Sequence, residues 1–301
     1  MGARPLTRSR RTALHALLWL GPSLALIVAV VLYPAVALVR ASLARYSITG
    51  LYQEFVGLGN YSRLAAQDAL PTVFLNTLVW VMTIVSITTV VSLGLAQLLN
   101  ARFPGRRVVR WALIVPWAAS LIMTSKLFVW IYDYYFGILN GVLVALGVLA
   151  EPIDWLGNDA TVMSAMVAVG IFVSLPFTTY VLLAGLASIP ADVHEAARVD
   201  GASRWGAYRA VTLPLLQPAL LVATVLNVIY VFNSFPIVWT LNDRNPGFAH
   251  DTMITYMYKI AFRSAFRDVG LAAAVGVVNV AIILIAVVVY LQTVRWHEVE
   301  A

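Results

Sequence analysis

Residues 189–218 read IPADVHEAARVDGASRWGAYRAVTLPLLQP, a polar stretch set between two long apolar runs. His194, Glu195, Arg198, Asp200, Arg204 and Arg209 all fall inside it. Local chemistry predicts a helix, a turn and a second helix. Pro190 and Asp192 suit a helix start. Glu195, Ala196, Ala197 and Arg198 favour helix. Asp200-Gly201 ends it, because glycine takes the positive φ that closes a helix. Ser203 can then cap a second short helix, with Trp205, Tyr208 and Val211 on one side. Leu213-Pro214 is expected to turn the chain out of that helix into the next apolar run. A solvated connector between two membrane segments has the same local features.

Working outward, the surrounding chain is too apolar for water. Of its 301 residues, 61% are hydrophobic and 11% charged, and mean hydropathy is +0.85. Soluble domains carry about 25% charged residues. Six runs are long enough to span about 30 Å of hydrocarbon. They are Ala13–Val39, Thr72–Leu99, Trp111–Tyr132, Ala160–Leu186, Leu213–Leu241 and Val269–Val294. The first run exceeds a signal-peptide core of about 7–15 residues and reads as a retained membrane helix. The chain divides into an N-terminal segment 1–12, a transmembrane domain 13–294 containing the polar loop 189–212, and a tail 295–301.

Flanking cations set the expected orientation. With the N-terminus cytoplasmic, twelve of the twenty Lys and Arg lie inside: Arg4, Arg8, Arg10, Arg11, Arg102, Arg106, Arg107, Arg110, Arg198, Arg204, Arg209 and Arg295. Seven lie outside, namely Arg40, Arg45, Arg63, Arg244, Lys259, Arg263 and Arg267. Lys126, within the third run, either snorkels to the surface or faces a cavity. Both termini and the polar loop are therefore expected in the cytoplasm. Glu151, Asp154 and Asp159, with no cation near them, fit the outside.

Two motifs carry a resemblance. Glu195-Ala196-Ala197, then Asp200-Gly201-Ala202, then Leu213-Pro214 resembles the EAA coupling loop of the membrane subunits of ABC importers. Phe55-Val56-Gly57-Leu58-Gly59-Asn60-Tyr61 reads locally as a glycine-rich turn. It also resembles the F-x-G-L-x-N-[YF] signature of sugar-type subunits. The resemblance covers nearly the whole chain. It is closest to the first of the paired permeases in carbohydrate and glycerol-phosphate importers, the MalF/UgpA-like group.

The resemblance implies an all-α polytopic membrane protein with about six transmembrane helices, the type I ABC importer permease fold, in a bacterial cytoplasmic (inner) membrane. It implies a second permease, two ATPase subunits, an extracytoplasmic solute-binding protein and a sugar-like solute. Glycerol-3-phosphate or its diesters are the alternative solute. ATP and Mg would belong to the ATPase, with no cofactor in this chain. Glu195, Ala196, Ala197, Asp200, Gly201, Ala202, Leu213 and Pro214 would meet the ATPase.

No catalytic set emerges from the residues themselves. There is no P-loop, and His194-Glu195 lacks the second histidine of a zinc-protease helix. The chain has no cysteine, and its four histidines lie far apart. A membrane-embedded enzyme, the reading from another class, would need ionisable groups at membrane depth, and the runs offer almost none. The polar residues within the runs need partners in hydrocarbon. Asn227, Tyr230 and Ser234 recur at helical spacing, which suits either a sugar-binding stripe or hydrogen bonding between helices. Pro176 and Pro236 are expected to kink their runs. By the resemblance, sugar contacts of the maltose subunit fall on Gly170, Val173, Ser174, Phe177, Asn227, Tyr230, Val231 and Ser234.

Overall fold

The computed structural model describes residues 8–243, 247–263 and 267–293. Most of the N-terminal segment, the tail 295–301, and Arg4, Arg244, Arg295 and His297 lie outside the described residues. The described residues fall into two compact units, one within 1–67 and 257–278 and the other within 68–256 and 279–301.

In the first unit, α1 (Arg8–Ile27) passes through a wider turn, Val28–Leu32, into α2 (Tyr33–Ser42). A short antiparallel hairpin follows, β1 (Ala44–Tyr46) with β2 (Tyr52–Phe55), and then α3 (Gly59–Ala65). The motif around Gly57 and Asn60 is a structural clamp. Gly57 takes φ +55°, which delivers the chain into α3. Asn60 is 1% exposed, and its Nδ2 donates to the carbonyls of Ser42 and Ala44, both at 2.9 Å. It thereby satisfies two carbonyls that the end of α2 and the start of β1 leave open. Tyr61 Oη meets Ser42 Oγ at 2.8 Å.

The second unit starts with α4 (Leu70–Asn100), at 31 residues about 46 Å long. Next come α5 (Arg106–Trp117), α6 (Leu121–Ile131), α7 (Ile138–Ala145) and α8 (Val162–Ala187). The polar loop holds α9 (Ala191–Val199) and α10 (Arg204–Ala207). Then follow α11 (Leu213–Leu215), α12 (Gln217–Phe232) and α13 (Phe235–Leu241). The helices α14 (Met253–Tyr258) and α15 (Val269–Thr293) each run from one unit into the other.

The helices α4, α8 and α12 pack on one another, and small residues let them close up. A Cβ on Gly185 would come within 2.4 Å of Ala219 Cβ, and one on Gly170 within 2.3 Å of Ile84 Cδ1. Ala96, Leu99, Leu182, Leu186, Leu216 and Ala223 fill the core at the end nearest α9. Some buried polar groups are paired between helices. Thr179 Oγ1 donates to Ser92 Oγ at 3.1 Å, and Trp80 Nε1 donates to the Val231 carbonyl at 2.9 Å.

Four helical stretches among the described residues are long and apolar enough to cross a membrane: Leu18–Ser42, Leu70–Asn100, Val162–Ala187 and Val269–Gln292. A fifth is the pair Arg204–Leu215 and Gln217–Phe232, bent by 63°. The architecture is all-α apart from the hairpin, but two expected runs are broken. The Trp111–Tyr132 run is two helices, because Ser120 is extended (φ −62°, ψ 140°) between them. The Leu213–Leu241 run is three pieces. The chain does not leave its helix at Leu213-Pro214, as expected from the sequence. Pro214 cannot bond the Ala210 carbonyl, and the wider turn at Tyr208–Thr212 absorbs that gap. The bend falls instead at Leu216. Pro236 opens α13 rather than kinking a helix, and α8 runs through Pro176 without interruption.

Candidate functional site

Two arrangements carry the chemistry. The first is the polar loop. Pro190, in extended conformation, precedes α9, and Asp192 sits in its first turn. Gly201 has φ +74°. Ala202 N bonds the Ala197 carbonyl at 3.0 Å and Gly201 N bonds Arg198 at 3.1 Å. These are the paired bonds of a glycine-closed helix end. Ser203 Oγ accepts from Gly206 N at 3.1 Å and caps α10. Trp205 and Tyr208 stack with centroids 5.6 Å apart.

The turn leaves a patterned surface. Ala197 is buried, whereas Glu195, Ala196, Asp200 and Ala202 are exposed. Val199 is 87% exposed and Trp205 69% exposed, large apolar surfaces within an otherwise charged loop. Leu213 and Pro214 lie in α11, past the wider turn and before the 63° bend.

The second arrangement is a cleft of about 270 Å³ where α8 meets α12 and the end of α5. Of the eight positions singled out in sequence, it brings together Val173, Ser174, Phe177, Asn227 and Tyr230. Trp117 and Leu226 complete the lining. Neither was foreseen, since only tertiary packing carries Trp117 to α8. Asn227 is 2% exposed, and its Nδ2 has no hydrogen-bond partner among the described residues. An unpaired buried amide is costly, so a bound group that accepts a hydrogen bond there gains by satisfying it.

The other three positions do structural work. Gly170 sits against Ile84 and Trp80, where any side chain would clash. Val231 is buried and lends its carbonyl to Trp80. Ser234 lies beyond the end of α12 and donates from Oγ to the Val231 carbonyl at 2.7 Å. Asn233 does the same to Ile229 at 2.8 Å. These bonds satisfy the carbonyls freed where α12 stops within an apolar run. Lys126 is exposed on α6. Asp133 instead closes the turn after α6 by accepting from Tyr135 N and Phe136 N.

A bundle of broken apolar helices, a cleft between two of them and a rigid polar helix–turn–helix at one end define a membrane transport subunit. Residues 88–295 match the family described as binding-protein-dependent transport system inner membrane component. A probable ABC transporter permease protein of Brucella suis biovar 1 is 39% identical over 90% of this chain and 93% of its own length. The trehalose/maltose transport system permease protein of Thermococcus litoralis is 34% identical over 92% of each. A crystal structure of a bacterial ABC transporter involved in importing the acidic polysaccharide alginate superposes with TM-score 0.81 at 21% identity, covering 96% of this chain and 97% of that one. The chain belongs to the family of inner membrane components of binding-protein-dependent transport systems. It is a permease subunit of an ABC importer and not an enzyme.

Proposed function

We propose that this permease imports a sugar or sugar-like solute and that its α8–α12 cleft is this chain's share of the solute path. The observation that carries the reading is Asn227. Asn227 lines the cleft beside Phe177, Tyr230 and Trp117, and its buried Nδ2 lacks a partner among the described residues. Aromatic rings stack on the C–H faces of a sugar while an amide and hydroxyls pair with its hydroxyl groups. The trehalose/maltose permease among the relatives supports the same class. Glycerol-3-phosphate is less favoured, because none of the residues lining the cleft is Lys or Arg and phosphate recognition leans on cations.

The assembly we propose pairs this chain with a second permease, two ATPases that hold ATP and Mg, and an extracytoplasmic solute-binding protein. Both termini and α9 face the cytoplasm. There α9 seats in the ATPase, with the small Ala196 permitting close approach and Glu195 accepting charge-assisted hydrogen bonds. Val199 and Trp205, exposed on the same loop, supply the apolar part of that contact. Proposed contacts also include Ala197, Asp200, Gly201, Ala202, Leu213 and Pro214, which shape the element.

The test is uptake by proteoliposomes of the full assembly, preceded by thermal stabilisation of its solute-binding protein across sugars and glycerophosphodiesters. A sugar should stabilise the binding protein and be taken up. Asn227→Ala should lower uptake while the ATPase still co-purifies. Stabilisation by glycerophosphodiesters alone, or unchanged uptake by Asn227→Ala, refutes the reading.

A further inference from the structure

The first unit holds a second cleft, between α2 and the hairpin. It measures about 440 Å³, within the 300–1,000 Å³ typical of small-ligand sites. One wall is a single face of α2, since Tyr33, Val36, Ala37 and Arg40 recur at helical spacing. The other wall is the β-hairpin, through Tyr46, Tyr52 and Phe55. The Tyr46 and Tyr52 rings meet edge to face, 6.1 Å apart.

Charge singles out Arg40. Two other arginines of this unit have acids, Arg45 with Glu54 at 2.7 Å and Arg63 with Asp268. The Arg40 guanidinium has no hydrogen bond or ion pair among the described residues. It lies in the last turn of α2, near the end of the apolar stretch Leu18–Ser42. Val36 and Ala37 lie on the same face, one turn back into that apolar stretch.

We propose that this cleft is a binding site for an anionic phospholipid. The phosphate pairs with the Arg40 guanidinium, whose fork matches phosphate oxygens. The tyrosines flank the glycerol region, the depth at which amphipathic rings settle. One acyl chain runs along Val36 and Ala37. The occupant is a lipid rather than a soluble anion because the cleft is apolar on its membrane side and cationic only at its rim.

The test uses the full importer assembly in liposomes doped with photoactivatable phosphatidylglycerol, with the phosphatidylcholine analogue as control. Labelling should fall on peptides covering residues 33–55, saturate, favour phosphatidylglycerol, and be competed by unlabelled phosphatidylglycerol but not by glycerol-3-phosphate in solution. Arg40→Gln should weaken labelling by about tenfold, the scale of one lost hydrogen bond to a charged group. Arg40→Lys should restore part of it. Because the lipid competition is run on the unaltered chain, it reads out even if the variants assemble poorly. Equal labelling by both lipids means ordinary boundary contact and overturns the proposal. So does competition by soluble glycerol-3-phosphate. A photoreactive residue at Tyr33 that cross-links only to the second permease assigns the cleft to a protein interface and overturns it equally.

Discussion

Replacing Gly201 by valine puts a β-branched residue where the backbone holds φ +74°. A Cβ there meets nothing within 4 Å, so the cost is conformational and not steric. Left-handed backbone costs an L-residue about 1–2 kcal/mol. That raises the opening equilibrium of the turn about 5- to 30-fold. The strain falls on the two bonds that close α9, Ala202 N to Ala197 and Gly201 N to Arg198. Hydrogen exchange of amides 191–207, measured in the purified assembly, should accelerate by that factor. Exchange in α4 and α8 should not change. ATP hydrolysis stimulated by loaded binding protein should fall with it, because a loop that melts transmits less motion. Gly201→Asn is the control, since asparagine tolerates the left-handed region, and it should lie between glycine and valine in both assays. Equal exchange in all three proteins would refute the claim that a positive φ sets the rigidity of this loop. Faster exchange with undiminished stimulation would refute its role in coupling.

Tyr230→Ala should reduce solute uptake with the ATPase still bound, at a cost of about 1–3 kcal/mol if the hydroxyl pairs with the solute; uptake kinetics check this. Trp80→Phe should lower the melting temperature only modestly, by about 1 kcal/mol for one neutral hydrogen bond, because the Val231 carbonyl keeps its bond from Ser234. Asn60→Ala should cost more, about 1–3 kcal/mol for each carbonyl it orphans, and thermal unfolding in detergent measures both. The chain has no cysteine, so single cysteines report orientation. An impermeant thiol reagent on intact cells should label Glu151→Cys and spare Val199→Cys, and the reverse would invert the proposed topology.

How much of this was legible depended on whether the deciding interaction was local. The polar loop was readable residue by residue, because caps and left-handed glycines act within five positions of themselves. Pro190, Gly201 and Ser203 each do what their chemistry predicts. The long apolar runs were equally plain, since length and composition alone select a membrane span. The break at Ser120 was missed although Pro116 and Ser120 mark it, because the run stays apolar on both sides, through Trp117-Ala118-Ala119 and Leu121-Ile122-Met123. The hairpin escaped for another reason. Strands of three and four residues are too short to establish an alternating period. Trp117 is the clearest limit, since nothing local links it to a cleft formed by residues more than fifty positions away.

The fate of Ser234 explains why polar residues in a membrane run resist assignment by spacing. A stripe at i, i+3 and i+7 is one face only while the helix lasts, and α12 ends at Phe232. Beyond it, Asn233 and Ser234 turn back on the carbonyls of Ile229, Tyr230 and Val231. Lipid offers those carbonyls no partner, and these side chains and Trp80 add donors alongside the backbone N–H groups of Asn233 and Ser234. Asn227, six residues before Asn233 and seven before Ser234, lies inside the intact helix. Its Nδ2 has no hydrogen-bond partner among the described residues. Donors past the end of α12 serve the backbone, whereas the donor within α12 has no partner among the described residues.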